Sequence, residues 1–247
     1  YHLQHISQSL ARNCVLDCFL IHIEDMGSIE PLVAASLLSA NFARMEEAVR
    51  MCETAGCDLL HMDVMDGVFV PNITFGPKMV KDIASVTSLP LDVHLMITSP
   101  EHYIDDFAEA GAYAITVHAE STIHLDRTLT AIRERGKLSG VSIVPSSSVS
   151  LITEILRLTD IVLVMTVNPG FGGQKMIPET LRKVQALKTI RGEEKLRYKI
   201  AVDGGINAET ASLARSAGAD ILVSGSSFFA SADPKGEVMA LKGYKVV

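Results

Sequence analysis

The feature that most constrains the fold of this chain is an alternation that begins at Leu32 and continues almost to the end. A short apolar run, rich in β-branched residues, is followed by an amphipathic stretch of about 10 to 15 residues. This alternation is typical of βα units, whose strands form a parallel sheet. Eight apolar runs are found, at residues 32–37, 59–64, 91–96, 114–118, 140–144, 161–166, 198–202 and 221–224.

The stretches between these runs predict helices that end in a recurring way. Residues 42–55 and 179–191 carry apolar side chains at helical spacing. Three stretches close on an Ala-Gly pair, at Gly56, Gly111 and Gly218, and glycine suits a left-handed helix cap. This recurrence favours a closed, repeated barrel over an irregular sheet. The eight units therefore predict an α/β fold, a single (β/α)8 or TIM barrel with eight parallel strands.

The first 30 residues do not follow this alternation. We predict an N-terminal extension over residues 1–30, either disordered or a short extra helix, and a barrel domain over residues 31–247. The favoured alternative is that the residues before Met26 lie upstream of a translation start at that methionine. Because single α/β barrels run to about 200–250 residues, the chain leaves little room for a second domain.

Composition excludes two classes of partner. The net charge is −7 and 5% of the residues are aromatic, so the chain lacks the basic, stacking surface that nucleic acid requires. The longest apolar run, residues 14–23, is too short and polar to span a membrane, and it lacks the basic start and the small-residue cleavage site of a secretory signal.

The four cysteines lack disulfide or metal spacing, which predicts reduced thiols and a cytoplasmic location. No surface pattern identifies a partner face, so a homo-oligomer stays an open alternative.

Polar side chains stand near the ends of three predicted strands. His61 and Asp63 share one face of the second strand, Asp92 and His94 share one face of the third, and Asp203 ends the seventh. In this fold the carboxyl ends of the strands form the functional face. A single histidine here is more simply a buried core residue. The two imidazoles, with carboxylates beside them at one mouth, instead favour a site for Zn²⁺ or a similar divalent ion.

Glycine-rich turns follow three of the runs, at residues 168–174, 203–207 and 224–227. Such turns let backbone N–H groups converge on an anion, and barrels commonly bind phosphate after the seventh and eighth strands. Together the turns predict a phosphate subsite, although none matches a Walker loop. Lys175, beside the first turn, is interpreted as a solvated residue. His118 and Glu120 either line the mouth or form a structural hydrogen bond.

With these motifs assembled, the chain strongly resembles the ribulose-phosphate 3-epimerase family. The likeness extends from Leu32 to about Pro234. It rests on five separated motifs: SLLSANF at 36–42, HMDVMDGVFVPN at 61–72, HLM at 94–96, VMTVNPGFGGQ at 164–174 and VDGGI at 202–206.

The resemblance implies a metal-dependent isomerase of the pentose phosphate pathway, which interconverts D-ribulose 5-phosphate and D-xylulose 5-phosphate. It implies that one divalent ion is bound by His61, Asp63, His94 and Asp203, with zinc favoured and iron(II), manganese or cobalt as alternatives. Asp63 and Asp203 would also exchange protons with C3 of the sugar, through an enediolate that the metal stabilises.

The resemblance also implies how the sugar phosphate is bound. Ser36 and His94 would contact the substrate. The phosphate would rest on Gly170, Phe171, Gly172, Gly173, Gly204, Gly205, Gly225 and Ser226. Met65, Met96 and Met165 would form an apolar wall that excludes water.

One segment departs from the family pattern, and three other functions are weighed. Residues 144–148 read VPSSS where the family usually has Asn-Pro-x-Thr-Pro, which affects local polar contacts. A 3-epimerase acting on a six-carbon ketose phosphate is the nearest alternative. A decarboxylase barrel would need a lysine where this chain has His94. A non-catalytic phosphate-binding protein would have no need for paired carboxylates.

Overall fold

The computed structural model describes residues 30–244, which form a closed barrel of eight strands. All neighbouring strands run parallel, and β1 pairs with both β2 and β8. The predicted (β/α)8 barrel is therefore confirmed. The strands are β1 (Leu32–Ser36), β2 (Leu59–Met65), β3 (Leu91–Met96), β4 (Ala114–His118), β5 (Leu138–Ile143), β6 (Ile161–Met165), β7 (Lys199–Asp203) and β8 (Ile221–Ser224).

Helices cover the outside of the barrel and connect its strands. Where Ala-Gly pairs predict helix ends, Gly56, Gly111 and Gly218 do cap helices, with φ angles of 82°, 109° and 112°. The α-helices are α1 (Met45–Ala55), α2 (Pro77–Val86), α3 (Ile104–Ala110), α4 (Leu125–Glu134), α5 (Leu181–Glu193), α6 (Ala208–Ala217), α7 (Ser226–Ala230) and α8 (Pro234–Lys242).

The connection between β5 and β6 differs from the regular pattern. It contains two 3₁₀ helices, Val149–Leu151 and Thr153–Leu158, in place of an α-helix. Pro145 and the serines that follow it favour turns, and the Ser148 side chain accepts a hydrogen bond from the backbone N–H of Ser150. The helices predicted at 42–55 and 179–191 likewise each begin with a 3₁₀ turn.

Side chains alternate between the two faces of each strand, which separates two buried regions. Outward residues such as Val33 and Ala35 pack beneath the helices. Inward residues of β6, β7 and β8, including Leu163, Ala201 and Val223, form a second apolar cluster inside the barrel. On β2 and β3, in contrast, the inward side chains include His61, Asp63, Asp92 and His94, which are polar and nevertheless buried. That side of the barrel interior is therefore suited to binding.

At the amino end of the barrel, an aspartate precedes each of the strands β2, β6 and β8 and accepts a hydrogen bond from a backbone N–H group of a neighbouring strand. Asp58 accepts a 2.8 Å hydrogen bond from the backbone N–H of Val33, and Asp220 accepts one of 2.7 Å from Ile200. Asp160 does the same before β6. These carboxylates satisfy N–H groups at the end of the barrel opposite the functional face.

The N-terminal extension lies outside the described residues, so its structure and the boundary near residue 30 stay predictions. Cys14 and Cys18 also fall there, whereas Cys52 and Cys57 are buried free thiols. Within residues 30–244, no helix has the length and apolar character needed to cross a bilayer.

Candidate active site

Three strands bring the predicted metal ligands to one point at the carboxyl end of the barrel. Asp63 and His94 are register partners on β2 and β3, and Asp203 is the last residue of β7. The ligand atoms of His61, Asp63, His94 and Asp203 all lie within 4.8 Å of one another. Three of these residues are buried and Asp203 is partly buried.

Three of the ligand atoms form a nearly equilateral triangle. Oδ1 of Asp63 lies 3.3 Å from Nε2 of His61 and 3.2 Å from Nδ1 of His94. The two ring nitrogens are 3.4 Å apart. Bonds of about 2.0–2.1 Å to a tetrahedral Zn²⁺ would place neighbouring ligand atoms about 3.3–3.4 Å apart. The donor set and its spacing therefore fit a divalent cation.

Neighbouring polar groups hold these side chains in place. Nδ1 of His61 lies 2.8 Å from Oδ2 of Asp92, so Asp92 lies behind a ligand instead of joining the four. The hydroxyl of Ser36 donates a 2.6 Å hydrogen bond to Oδ2 of Asp63. Nε2 of His94 lies 2.9 Å from Nε2 of His118.

The two carboxylates of the site have pKa values displaced in opposite directions. Burial raises the pKa of Asp203 to about 7, and the nearby charge of Asp63 adds to this effect. Burial would also raise the pKa of Asp63, but His61 and His94 outweigh burial and lower it below its usual range. Without a bound ion, Asp203 therefore takes up a proton more readily than Asp63.

A cavity of about 590 Å³ opens above these groups. His61 and His94 do not line it and are fully buried, so the predicted contact between His94 and substrate stays a prediction. Lys175, interpreted from the sequence as solvated, does line the cavity. The other predicted site residues all line it: Ser36, Asp63, Met65, Met96, Met165, Gly170, Phe171, Gly172, Gly173, Asp203, Gly204, Gly205, Gly225 and Ser226.

The glycine turns leave room on one side of this cavity. A Cβ atom on Gly225 would lie 2.6 Å from Oγ of Ser39, and one on Gly172 would lie 3.3 Å from the same atom. Oγ of Ser39 is in turn 3.3 Å from Oγ of Ser226. Small residues and the hydroxyl groups of Ser39 and Ser226 thus meet at the side of the cavity where the phosphate subsite is predicted.

The methionines form the apolar side. Met65 and Met96 are register partners on β2 and β3, and both are buried with Val70 in one small cluster. Met165 is the register partner of Asp203. Apolar side chains therefore stand beside the carboxylates.

Ser39 was assigned no role from the sequence, whereas Glu120 was expected either to line the mouth with His118 or to form a structural hydrogen bond. Glu120 does not line the cavity, and it contacts His118. Ser39 lies within a motif of the resemblance, but no pattern indicates that it meets the turn after β8. Glu120 lies 3.3 Å from His118 and accepts a 3.0 Å hydrogen bond from the backbone N–H of Val144. Burial would raise the pKa of Glu120, but hydrogen bonds from His118, Ser147 and Val144 lower it to about 2.

Known proteins resemble this chain in sequence and in fold. Residues 32–229 match the model of the ribulose-phosphate 3 epimerase family. The ribulose-phosphate 3-epimerase of Treponema pallidum is 50% identical over 197 residues, 80% of this chain and 90% of that protein. The Bacillus subtilis enzyme of the same name is 48% identical over 214 residues, 86% of this chain and 99% of that protein. The tryptophan synthase A-subunit of Pyrococcus furiosus covers 88% of this chain and 100% of its own at 15% identity, with a TM-score of 0.65, and shares the fold alone.

Proposed function

The chain belongs to the ribulose-phosphate 3-epimerase family and is an isomerase, and from this premise we propose that it interconverts D-ribulose 5-phosphate and D-xylulose 5-phosphate with the help of a divalent metal ion. The proposal assigns the proton transfers at C3 to Asp63 and Asp203. It extends the family assignment to a substrate, a cofactor and a set of residue roles.

One observation carries this assignment: the carboxylates of Asp63 and Asp203 both line the same cavity. Epimerisation beside a ketone removes a proton from one face of the carbon and returns a proton to the other face. The site therefore needs one group ready to accept and another ready to donate. Asp63 comes from β2 and Asp203 from β7, which are separated in the barrel by β1 and β8. The two groups thus approach the cavity from different strands.

His61, Asp63, His94 and Asp203 would hold the cation. When bound, a divalent ion polarises the ketone and stabilises the negative charge that develops on its oxygen. The mixed nitrogen and oxygen donors favour zinc, with iron(II), manganese and cobalt as alternatives. An ion is needed because a carboxylate with an ordinary pKa near 4 is a weak base toward a carbon acid.

The protein's own groups perform the remaining steps. Asp63 removes the C3 proton from one face, and Asp203 supplies a proton at the opposite face; the roles reverse in the other direction. Ser36 holds Asp63 through its hydrogen bond. The phosphate binds where the glycine turns meet Ser39, and Met65 with its methionine neighbours limits water near the carbon that has lost its proton.

The test of the acid/base pair is Asp203→Asn, assayed for epimerisation and for deuterium uptake at C3 from heavy water. We expect the epimerisation rate to fall by about 10²–10⁴-fold, since one of the two proton-transfer groups is lost. Glu209→Gln is the matched control, because Glu209 lines the same cavity outside the four-residue set. Full turnover in Asp203→Asn would overturn the assignment.

The test of the cofactor is chelation. We expect activity to disappear after removal of the ion and to return when Zn²⁺, Fe²⁺, Mn²⁺ or Co²⁺ is added, each in a separate titration. If metal analysis finds no ion in the chelated protein and this protein still has full activity, the metal requirement is contradicted. The cytoplasmic location and the oligomeric state stay predictions.

A further inference from the structure

The imidazole of His94 is held on both sides. Its Nδ1 faces Asp63 and His61, which places this nitrogen on the cation side. Its Nε2 lies 2.9 Å from Nε2 of a second buried imidazole, His118. The two rings stack with centroids 5.0 Å apart and an angle of 27° between their planes. The orientation of His94 therefore depends on a residue that does not line the cavity.

Two ring nitrogens at this distance can share only one hydrogen. If Nδ1 of His94 offers its lone pair to a cation, the ring hydrogen is on Nε2, which then donates to His118. Nε2 of His118 must accept, so the hydrogen of His118 is on Nδ1. That nitrogen lies 3.3 Å from Oε2 of Glu120. An ionised carboxylate can only accept. Glu120 therefore selects this arrangement of hydrogens on both His118 and His94.

Glu120 is itself fixed. Its Oε1 accepts from the backbone N–H of Val144, and Lys183 donates to the backbone carbonyl of Val144 over 2.7 Å. The ring of Phe69 also packs against His118, with centroids 4.8 Å apart. The contacts of Glu120 thus involve the segment at residues 144–148 where the sequence departs from the family pattern.

We propose that His118 and Glu120 are positioning residues for the cation site, which set the tautomer and ring angle of His94 so that Nδ1 points at the ion. His61 uses a shorter version of the same arrangement, because its Nδ1 contacts the buried carboxylate of Asp92 directly. Groups of this kind typically change metal affinity by about 10- to 100-fold when they are removed. This inference rests on the metal site of the proposed function.

The experiment measures the dissociation constant for Zn²⁺ by competition with a chromogenic chelator. It compares the full chain with four variants at His118, Glu120 and Ser142, and with Asp63→Ala. His118→Leu removes the acceptor for His94, whereas His118→Gln keeps an amide oxygen near the same position. Glu120→Gln replaces one carboxylate oxygen with an NH₂ group, which cannot accept a hydrogen bond. That NH₂ must face either the backbone N–H of Val144 or Nδ1 of His118, so one of these two donors loses its acceptor. Ser142→Ala is the matched control, since Ser142 is the buried register partner of His118 and its hydroxyl contacts no hydrogen-bond partner within the described residues.

We expect His118→Leu and Glu120→Gln to bind Zn²⁺ about 10- to 100-fold more weakly than the unaltered chain. His118→Gln should bind more tightly than His118→Leu, and Ser142→Ala should bind normally. Urea unfolding of each metal-free variant separates affinity from stability, because a merely structural role would change unfolding without changing the affinity of the folded protein. Normal affinity in His118→Leu and Glu120→Gln would overturn the inference, as would equal weakening by both substitutions of His118.

Asp63→Ala distinguishes this inference from the proposed function on which it rests. If the unaltered chain binds no Zn²⁺, or if Asp63→Ala binds it equally well, the metal part of the proposed function fails and the inference fails with it. If Asp63→Ala loses the ion while His118→Leu and Glu120→Gln keep it, only the roles of His118 and Glu120 are rejected.

Discussion

The hydroxyl of Ser36 donates a 2.6 Å hydrogen bond to one oxygen of Asp63, while the other oxygen of that carboxylate faces His61 and His94. Ser36 is the last residue of β1 and is buried. Both oxygens of Asp63 are therefore occupied, and the angle of the carboxylate is set by side chains from β1, β2 and β3. This arrangement fixes a proposed proton-transfer group before substrate arrives.

Ser36→Ala should lower kcat/KM by about 10- to 100-fold, because a hydrogen bond to a charged group contributes about 1.5–3 kcal/mol. Steady-state kinetics on metal-replete protein checks this value. Ser139→Ala is the control, since Ser139 is a buried serine at the amino end of β5, where it bonds to Leu158 and Asp160. That control should lose stability and keep its activity. Equal activity losses in the two variants would show that the effect of Ser36 is not local.

The fold could be predicted because its signals are local. Apolar β-branched runs, helical stretches and glycine caps each occupy a few neighbouring residues, and Gly56, Gly111 and Gly218 are caps as expected. The connection after β5 was missed for the same reason. It forms two 3₁₀ helices in place of the α-helix that the general alternation predicts.

The site could be predicted only in part, because long-range register decides the rest. His61, Asp63 and His94 were found from positions on single strands near the predicted mouth. The contact between His94 and His118 depends on how β3 and β4 are staggered in the closed barrel, which no motif encodes. The approach of Ser39 to Gly225 likewise requires that β1 and β8 be neighbours.

Gly205→Ala should raise KM for the sugar phosphate and reduce stability. Gly205 has a φ of +67°, and an added Cβ would lie 2.3 Å from the backbone nitrogen of Met176. The turn that lines the cavity would have to move, because a backbone atom cannot rotate away. Gly192→Ala provides the contrast within α5, since nothing lies within 4 Å of its added Cβ.

Gly192→Ala should stabilise the protein by about 0.5–1 kcal/mol, because alanine loses less conformational freedom in a helix. Urea unfolding and substrate titration of both variants check the pair of expectations. A normal KM in Gly205→Ala would contradict the idea that this turn shapes the phosphate subsite.

Asp220→Ala should lower the free energy of unfolding by about 1–3 kcal/mol, since it leaves the buried N–H of Ile200 without its acceptor. Arg191 also loses its carboxylate partner. Asp105→Ala is a matched comparison, because Asp105 pairs with Arg135 where both side chains are exposed, and such pairs contribute about 0–1 kcal/mol. Folded Asp220→Ala should retain its kcat, because Asp220 lies at the end opposite the cavity. A similar loss of stability in both variants would contradict the role of the buried N–H.

Asp66, in the loop after β2, should contribute less to the free energy of unfolding at acid pH than at pH 7. Burial would raise the pKa of Asp66, but hydrogen bonds from the backbone N–H groups of Thr98, Val68 and Phe69 lower it. A carboxylate whose pKa is depressed in the folded state stabilises the protein above its unfolded pKa of about 4, and this contribution is lost as the pH falls through the folded value. Asp66→Asn should therefore be less stable than the unaltered chain at pH 7, with a smaller difference at acid pH. Urea unfolding of both proteins across this range measures that difference, and a gap that stays constant or widens in acid would exclude the ionised carboxylate as its cause.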